Sequence, residues 1–297
     1  MKIKKRSFIQ VMVMAFTNAY AVGFTKGKIY TGNTKLLCVP GLNCYSCPGA
    51  IGSCPIGALQ AVLGARNYGF SYYVIGIMLF FGVFLGRLVC GFLCPFGWIQ
   101  EVLFFPKTPK LSVPKKLDHA LRYVKYGMLF VPVILLPMFA TNSFGIAPPY
   151  FCQWICPAGT LEGGIPLLIW QESLRNRIGF LFYWKFAILL CVVFFSIVIY
   201  RPFCKYLCPL GAFYGMFHKY GFYRMDIDKN RCVGCKECEK SCKMGVEVTK
   251  NINSPECIRC GDCFHTCRYG AIKKGWEFSC QKVQNNTTVY PKYCKKP

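Results

Sequence analysis

Between residues 232 and 267 the chain repeats one cysteine pattern, CxxCxxCxxxC: Cys232, Cys235, Cys238 and Cys242, then Cys257, Cys260, Cys263 and Cys267. Eight thiols at this density leave few folds open to the segment. Three from each run sit on one tight loop, so the fourth is free to complete a site built by the other run. That is the ligand arrangement of paired 4Fe-4S clusters. One site is expected from Cys232, Cys235, Cys238 and Cys267, and its partner from Cys257, Cys260, Cys263 and Cys242. Structural zinc usually joins CxxC units across a dozen or more residues, and disulfides suit three thiols on one loop no better.

The spacing is that of bacterial two-cluster ferredoxins, with one departure. The residues after the fourth cysteines are Lys243 and Arg268 instead of proline. The change alters each turn and removes no ligand.

The rest of the chain is of a different kind. Of its 297 residues 54% are apolar and 16% charged, too apolar for an ordinary soluble domain. A bilayer span needs about 20 mostly apolar residues. Residues 7–24, 68–86, 126–147 and 178–200 meet that description. The first could also be read as a signal peptide, since Lys2, Lys4, Lys5 and Arg6 precede it and Ala19-Tyr20-Ala21 follows. Basic residues orient the spans. Four lie at the N-terminus and six in the 105–125 loop, against four in 25–67 and two in 148–177, so both termini are expected to be cytoplasmic.

The net charge of +24 does not indicate nucleic-acid binding, because 18 Lys and Arg precede residue 201 and 18 lie from it onward. The first set sits in loops beside anionic headgroups, and no nucleic-acid motif accompanies it. The basic ferredoxin half is suited to an acidic redox partner.

The membrane half is duplicated. Arg87-Leu88-Val89-Cys90-Gly91-Phe92-Leu93-Cys94-Pro95-Phe96-Gly97 and Arg201-Pro202-Phe203-Cys204-Lys205-Tyr206-Leu207-Cys208-Pro209-Leu210-Gly211 both read RxxCxxxCPxG. Earlier in each half, Cys54-Pro55-Ile56-Gly57-Ala58-Leu59-Gln60 matches Cys156-Pro157-Ala158-Gly159-Thr160-Leu161-Glu162. Each half is thus a span, a CPxGxL[QE] loop, a span and an RxxCxxxCPxG exit, which makes the halves parallel repeats. The first span then corresponds to the third, which argues that it is retained.

This arrangement groups the remaining thiols. Cys90, Cys94, Cys204 and Cys208 fall at the cytoplasmic ends of even-numbered spans and form a possible inner iron-sulfur site. Proline after each second cysteine halts helical geometry and leaves amides free for cluster sulfurs. Cys38, Cys44, Cys47, Cys54, Cys152 and Cys156 are expected on the outer face. They form either a further cluster, with Cys47, Cys54, Cys152 and Cys156 as its ligands, or disulfides, which that face permits and the Cys44/Cys47 spacing allows. Cys191, Cys280 and Cys294 are read as structural. The three histidines, His119, His218 and His265, lie outside the spans, so no pair of them offers haem ligands within the bilayer. His218 and Lys219 could meet a quinone headgroup or form a solvated juxtamembrane pair. Lys185 is expected to snorkel to the interface, with Glu162 or Glu172 as a partner.

The two RxxCxxxCPxG motifs, Ala212-Phe213-Tyr214-Gly215 after the second, and both ferredoxin runs resemble the NapH-type membrane ferredoxin family. The resemblance covers the chain from the second span to Ile272. It implies a four-span electron-transfer subunit, often working with a quinol, in which Cys90, Cys94, Cys204 and Cys208 are redox-site cysteines. The simplest members lack the six outer cysteines.

The expected fold is an all-α membrane domain over 1–220, with repeats of about 1–105 and 126–220. A small α+β ferredoxin domain over 221–275 carries two 4Fe-4S clusters, and a tail occupies 276–297. The expected function is electron relay in a prokaryotic cell membrane. Other redox subunits or a soluble carrier stand on one side, and the quinone pool or an extracytoplasmic acceptor on the other. The other class of reading is an assembly, maturation or sensory protein that supplies electrons to another enzyme's metal cofactor.

Overall fold

A computed structural model describes residues 2–65, 71–111, 113–142 and 146–276. The tail with Cys280 and Cys294, and parts of two expected spans at 68–70 and 143–145, lie outside the described residues. What is described is mostly helical, with one two-stranded sheet.

Among the described residues, two helices are long and apolar enough to cross a bilayer, Lys115–Phe139 and Phe180–Val198. The second falls within the expected 178–200. The first begins earlier than expected, because its opening turns are charged and lie against the ferredoxin half, and it ends at Phe139 instead of 147. Pro132 lies inside it. Proline lacks the N–H an α-helix requires and crowds the carbonyl one turn back, and the helix absorbs this through a π-helical stretch, Leu129–Leu135.

The other two expected spans are shorter in the structure. Residues 7–24 divide into Lys2–Thr17 and Ala21–Lys26. Thr17 Oγ1 and Asn18 Nδ2 turn back onto Val13 and Met14 carbonyls, and Tyr20 N–H bonds Gly49 O, so the chain leaves the helix here to meet the 44–54 loop. Residues 68–86 contribute Tyr72–Phe84, 13 residues. At about 1.5 Å per residue that is about 20 Å, short of a hydrocarbon core of about 30 Å. Gly86, at φ 54°, then bends the chain into the short helix Leu88–Phe92.

Each CPxG step opens a helix, whereas Cys47-Pro48-Gly49 forms a turn. Pro55, Pro95 and Pro209 begin Pro55–Gly64, Pro95–Phe104 and Pro209–Phe217. Pro157 begins a fourth, which passes through the π turn Gly159–Gly164 into Ile165–Trp170. Proline suits the first helical position because no donor is needed there, and it pushes the preceding residue into extended backbone. Cys54, Cys94 and Cys208 are extended residues of this kind, held just outside a helix whose first amides are free. Gly211 N–H bonds Cys208 Sγ at 3.4 Å. Pro95–Phe104 packs against Phe180–Val198 and Lys2–Thr17, and Pro209–Phe217 against Tyr72–Phe84 and Lys115–Met128. The CPxG helices therefore form the centre of the membrane half.

The C-terminal half is closed by β1 (Tyr223–Ile227) and β2 (Ile272–Trp276), paired antiparallel with Met225 opposite Lys274 and Ile227 opposite Ile272. Between them lie the two cysteine runs and two short helices, Glu237–Lys240 and Asp262–Thr266, which pack on each other. Met225, Met244, Val246, Val248, Ile252 and Ile258 form its buried core.

Candidate metal centres

The ferredoxin half contains two cavities, each edged by four cysteines. One is lined by Cys242, Cys257, Cys260 and Cys263 with Met225, Met244, Val246 and Ile258. The other is lined by Cys232, Cys235, Cys238 and Cys267 with Ile227, Val233 and Ile272. The two loops share one backbone shape. Positive φ occurs at Gly234 and Lys236 in the first run and at the matching Arg259 and Gly261 in the second. Such turns make a concave row of amides suited to anionic sulfur, and Arg259 N–H bonds Cys257 Sγ at 3.4 Å. Val246 N–H does the same to Cys242.

Four thiols, an apolar lining and inward amides fit a 4Fe-4S cluster. No group of three or more His, Cys, Asp or Glu side chains among the described residues is set for a single metal ion. A tetrahedral zinc, at about 2.3 Å from each sulfur, would draw its ligands to within about 4 Å of one another.

In the membrane half Cys90, Cys94, Cys204 and Cys208 are all buried and come together from the two repeats. Burial, followed by the charges of Cys204 and Cys90, pushes Cys94 up to about 12, and the same causes raise Cys208. Four such thiols cannot ionise together without a compensating cation, which bound iron would supply.

The two motif arginines are fully buried and crossed. Arg87 Nη2 donates to Cys204 O at 3.0 Å, and Arg201 Nη1 donates to Cys90 O at 2.5 Å. Arg201 pairs with Glu101 at 3.2 Å, which also meets Arg6 and Tyr200. Arg87 pairs with Glu256 at 3.0 Å, shared with buried Lys125.

The thiols grouped around Cys54 differ from the expected set in one member. Cys54, Cys152 and Cys156 converge, and their fourth neighbour is Cys44, not Cys47. Burial raises Cys54 and Cys156, and the charges of Cys152 and Cys44 act on both. Burial, then Glu162, pushes Cys44 itself up to about 12, with Cys152 adding to the rise. A carbon added at Gly57 would lie 3.8 Å from Cys152 Sγ, and one at Gly159 would lie 3.7 Å from Cys44 Sγ. Cys47 turns away toward Asn18, with Sγ 3.5 Å from Oδ1. The reason is loop geometry: Cys44 is held by Glu162, whose Oε2 accepts its N–H at 2.7 Å. No two cysteines among the described residues are bonded to each other. Cys38 is buried beside Ser53, and Cys191 is exposed on the helix Phe180–Val198.

Two other expectations are corrected. Among the described residues Lys185 does not pair with Glu162 or Glu172; its Nζ donates to Cys152 O at 3.1 Å. His218 is not solvated. It is buried, with neither ring nitrogen hydrogen-bonded among the described residues, and burial and then Arg259 push it down to about 2. Lys219 is the exposed member of that pair.

The three regions touch one another. A carbon on Gly91, between Cys90 and Cys94, would come 2.4 Å from Ile258 O, the residue after Cys257. Only glycine allows the ferredoxin loop to sit there. On the other side, a carbon on Gly41 would fall 2.8 Å from Leu93 O and 3.0 Å from Cys94 Cα. Tyr214 OH donates to Pro40 O at 3.0 Å. The 38–54 loop thus packs against the Leu93–Cys94 backbone and the helix Pro209–Phe217. Sequence reasoning missed Gln60 and Gln100, which touch Cys152 and Cys204. The available signal was CPxGxxQ, present at both 54–60 and 94–100.

A family model described as a 4Fe-4S binding domain matches residues 69–112, 127–165 and 181–230. These stretches hold Cys90 and Cys94, Cys152 and Cys156, and Cys204 and Cys208. An uncharacterized protein of Methanocaldococcus jannaschii is 26% identical over 68% of this chain and 78% of its own length. The methylamine utilization ferredoxin-type protein MauN of Methylobacillus flagellatus is 24% identical over 63% of this chain and 60% of its own. The ferredoxin-type protein NapH of Haemophilus influenzae is 26% identical over 61% of this chain and 56% of its own. The chain therefore spans somewhat over half the length of MauN and NapH. No solved structure matches it. By its cysteine motifs and these matches, the chain is a relative of the ferredoxin-type iron-sulfur proteins represented by NapH and MauN.

Proposed function

We propose that the chain is a membrane-bound iron-sulfur protein that relays electrons through four cysteine quartets. In order from the solvent these are Cys232/Cys235/Cys238/Cys267, Cys242/Cys257/Cys260/Cys263, Cys90/Cys94/Cys204/Cys208 and Cys44/Cys54/Cys152/Cys156. The observation that carries this reading is the contact of Ile258 O with Gly91, which brings the loop after Cys257 against the segment between Cys90 and Cys94. Bound 4Fe-4S clusters supply one-electron oxidation and reduction.

The chain's own residues supply the rest. Buried thiols provide ligands, and apolar walls keep water away and lower the local dielectric constant. Arg87 and Arg201 add positive charge beside the inner thiolates. Arg87, Glu256 and Lys125 fasten the ferredoxin half to the membrane half through the residue before Cys257. In this reading residues 1–220 form a four-span domain of two parallel repeats. Residues 221–275 form the two-cluster ferredoxin on the cytoplasmic side. A redox subunit or soluble carrier meets the chain where Cys235 is exposed. The opposite end, at the outer quartet, serves the quinone pool or an extracytoplasmic acceptor.

The test is rapid-mixing reduction of anaerobically purified protein, read by EPR. Gly91→Val places a side chain where Ile258 O lies. It should leave reduction of the ferredoxin centres intact and slow reduction of the membrane centres at least tenfold. Equal rates in variant and wild type would overturn the relay order.

A further inference from the structure

The CPxG helices share one more feature. The sixth residue after each CPxG cysteine carries a hydrogen-bonding side chain: Gln60, Gln100, Glu162 and Tyr214. Two of the four carry an amide, and the contacts of those two match atom for atom. Gln60 Oε1 accepts Phe151 N–H at 2.9 Å, while Nε2 donates to Ile56 O at 3.3 Å and Cys152 Sγ at 3.2 Å. Gln100 Oε1 accepts Phe203 N–H at 3.2 Å, while Nε2 donates to Phe96 O at 3.3 Å and Cys204 Sγ at 3.2 Å. Both side chains are buried, at 0% and 1% exposure.

The orientation of each amide is set by chemistry. A backbone N–H can bond only the oxygen end, so Phe151 and Phe203 fix Oε1 and turn the NH2 group toward sulfur. Each NH2 has two protons, one for the carbonyl a turn back and one for the cysteine. At the two remaining positions the group serves the 40–44 loop and no sulfur. Glu162 accepts from Cys44 N, and Tyr214 donates to Pro40 O.

We propose that Gln60 and Gln100 are matched positioning residues whose N–H···S hydrogen bonds set the reduction potentials of the outer and inner centres. The proposal rests on the electron-transfer reading above. A hydrogen bond to a ligand thiolate draws electron density from the sulfur and favours the more negative, reduced cluster, which raises the potential. The Oε1 contact does separate work: it caps one of the unpaired amides that open the helices Tyr150–Trp154 and Pro202–Tyr206.

The full-length protein, grown with glutamine labelled by 15N at the side-chain amide and purified anaerobically, provides the test. Pulsed EPR of the reduced inner centre should show coupling to that nitrogen, and Gln100→Leu should abolish it. Redox titration of the same variant should show a lower midpoint potential for the inner centre and no shift in the ferredoxin centres. Gln60→Leu should have the same two effects on the outer centre alone. Gln100→Glu keeps an acceptor for Phe203, so it should retain the centre while still lacking the labelled coupling. Absence of coupling in the wild type overturns the proposal without any variant, as does an unchanged potential in Gln100→Leu. A wild type with ferredoxin signals but no membrane-centre signal would instead refute the underlying relay reading, and with it this inference.

Discussion

Arg87 and Arg201 are exchanged across the two repeats: each guanidinium, rooted three residues before its own cysteine pair, bonds the backbone of the other pair. Arg87 holds Cys204 O and Arg201 holds Cys90 O. Neither repeat can complete its half of the site alone, because the carbonyls of each pair depend on the other's arginine. The carboxylates that balance them, Glu256 and Glu101, are nearly as buried as the arginines.

Removing one of those carboxylates should be costly. Glu256→Ala leaves Arg87 and Lys125 buried without a counter-charge, a loss of about 3–5 kcal/mol for a broken buried pair. A lowered melting temperature of the anaerobic, detergent-solubilised protein would register it. The ferredoxin half should also detach, seen as faster proteolysis near Gly221.

Cys90 and Cys204 should answer for one centre. Serine at either position is expected to abolish the same EPR signal and to spare both ferredoxin signals. Loss of two different signals would show that the two pairs do not share a site.

Cys44 and Cys47 should behave differently despite their closeness in sequence. Cys44→Ser is expected to remove the outer centre, and Cys47→Ser to leave it in place. If the outer thiols formed disulfides, both would become alkylatable on adding dithiothreitol with iron still bound, and that result would reject the four-thiolate outer site.

Iron and sulfide analysis should return about sixteen of each per chain, the sum over four 4Fe-4S sites. Chelation under denaturant should unfold the ferredoxin half first, because its small core is built around the two cavities. A count near eight would confine the clusters to residues 232–267.

Orientation can be read with protease sites inserted beside Lys28 and Arg175, both exposed in the structure. Cleavage from outside intact cells is expected at both, and cleavage after Tyr220 only from the inside. Protection of the first two would reverse the topology and end the case for transfer across the bilayer.

The sequence by itself determined the chemical class of this protein. Ligand spacing is a local property, and CxxCxxCxxxC and CxxxCP keep thiols together whatever the rest of the chain does. The repeat was legible for the same reason, since RxxCxxxCPxG is read along one segment. Span limits were less so. Pro132, Asn18 and Gly86 each invite a break, but whether a π turn, a loop or a bend results depends on what packs alongside.

Other features were settled only in three dimensions, because they join segments far apart in the chain. Cys44 displaces Cys47 because Glu162, 118 residues away, holds its amide. Lys185 donates to the Cys152 carbonyl, and His218 is buried because the Arg259 loop covers it. Gln60 and Gln100 stood in plain view within CPxGxxQ, but a glutamine on an apolar helix becomes a sulfur donor only once Phe151 and Phe203 fix which end of the amide faces the cysteine. Spacing could bring thiols together; only the fold could decide which charges and amides surround them.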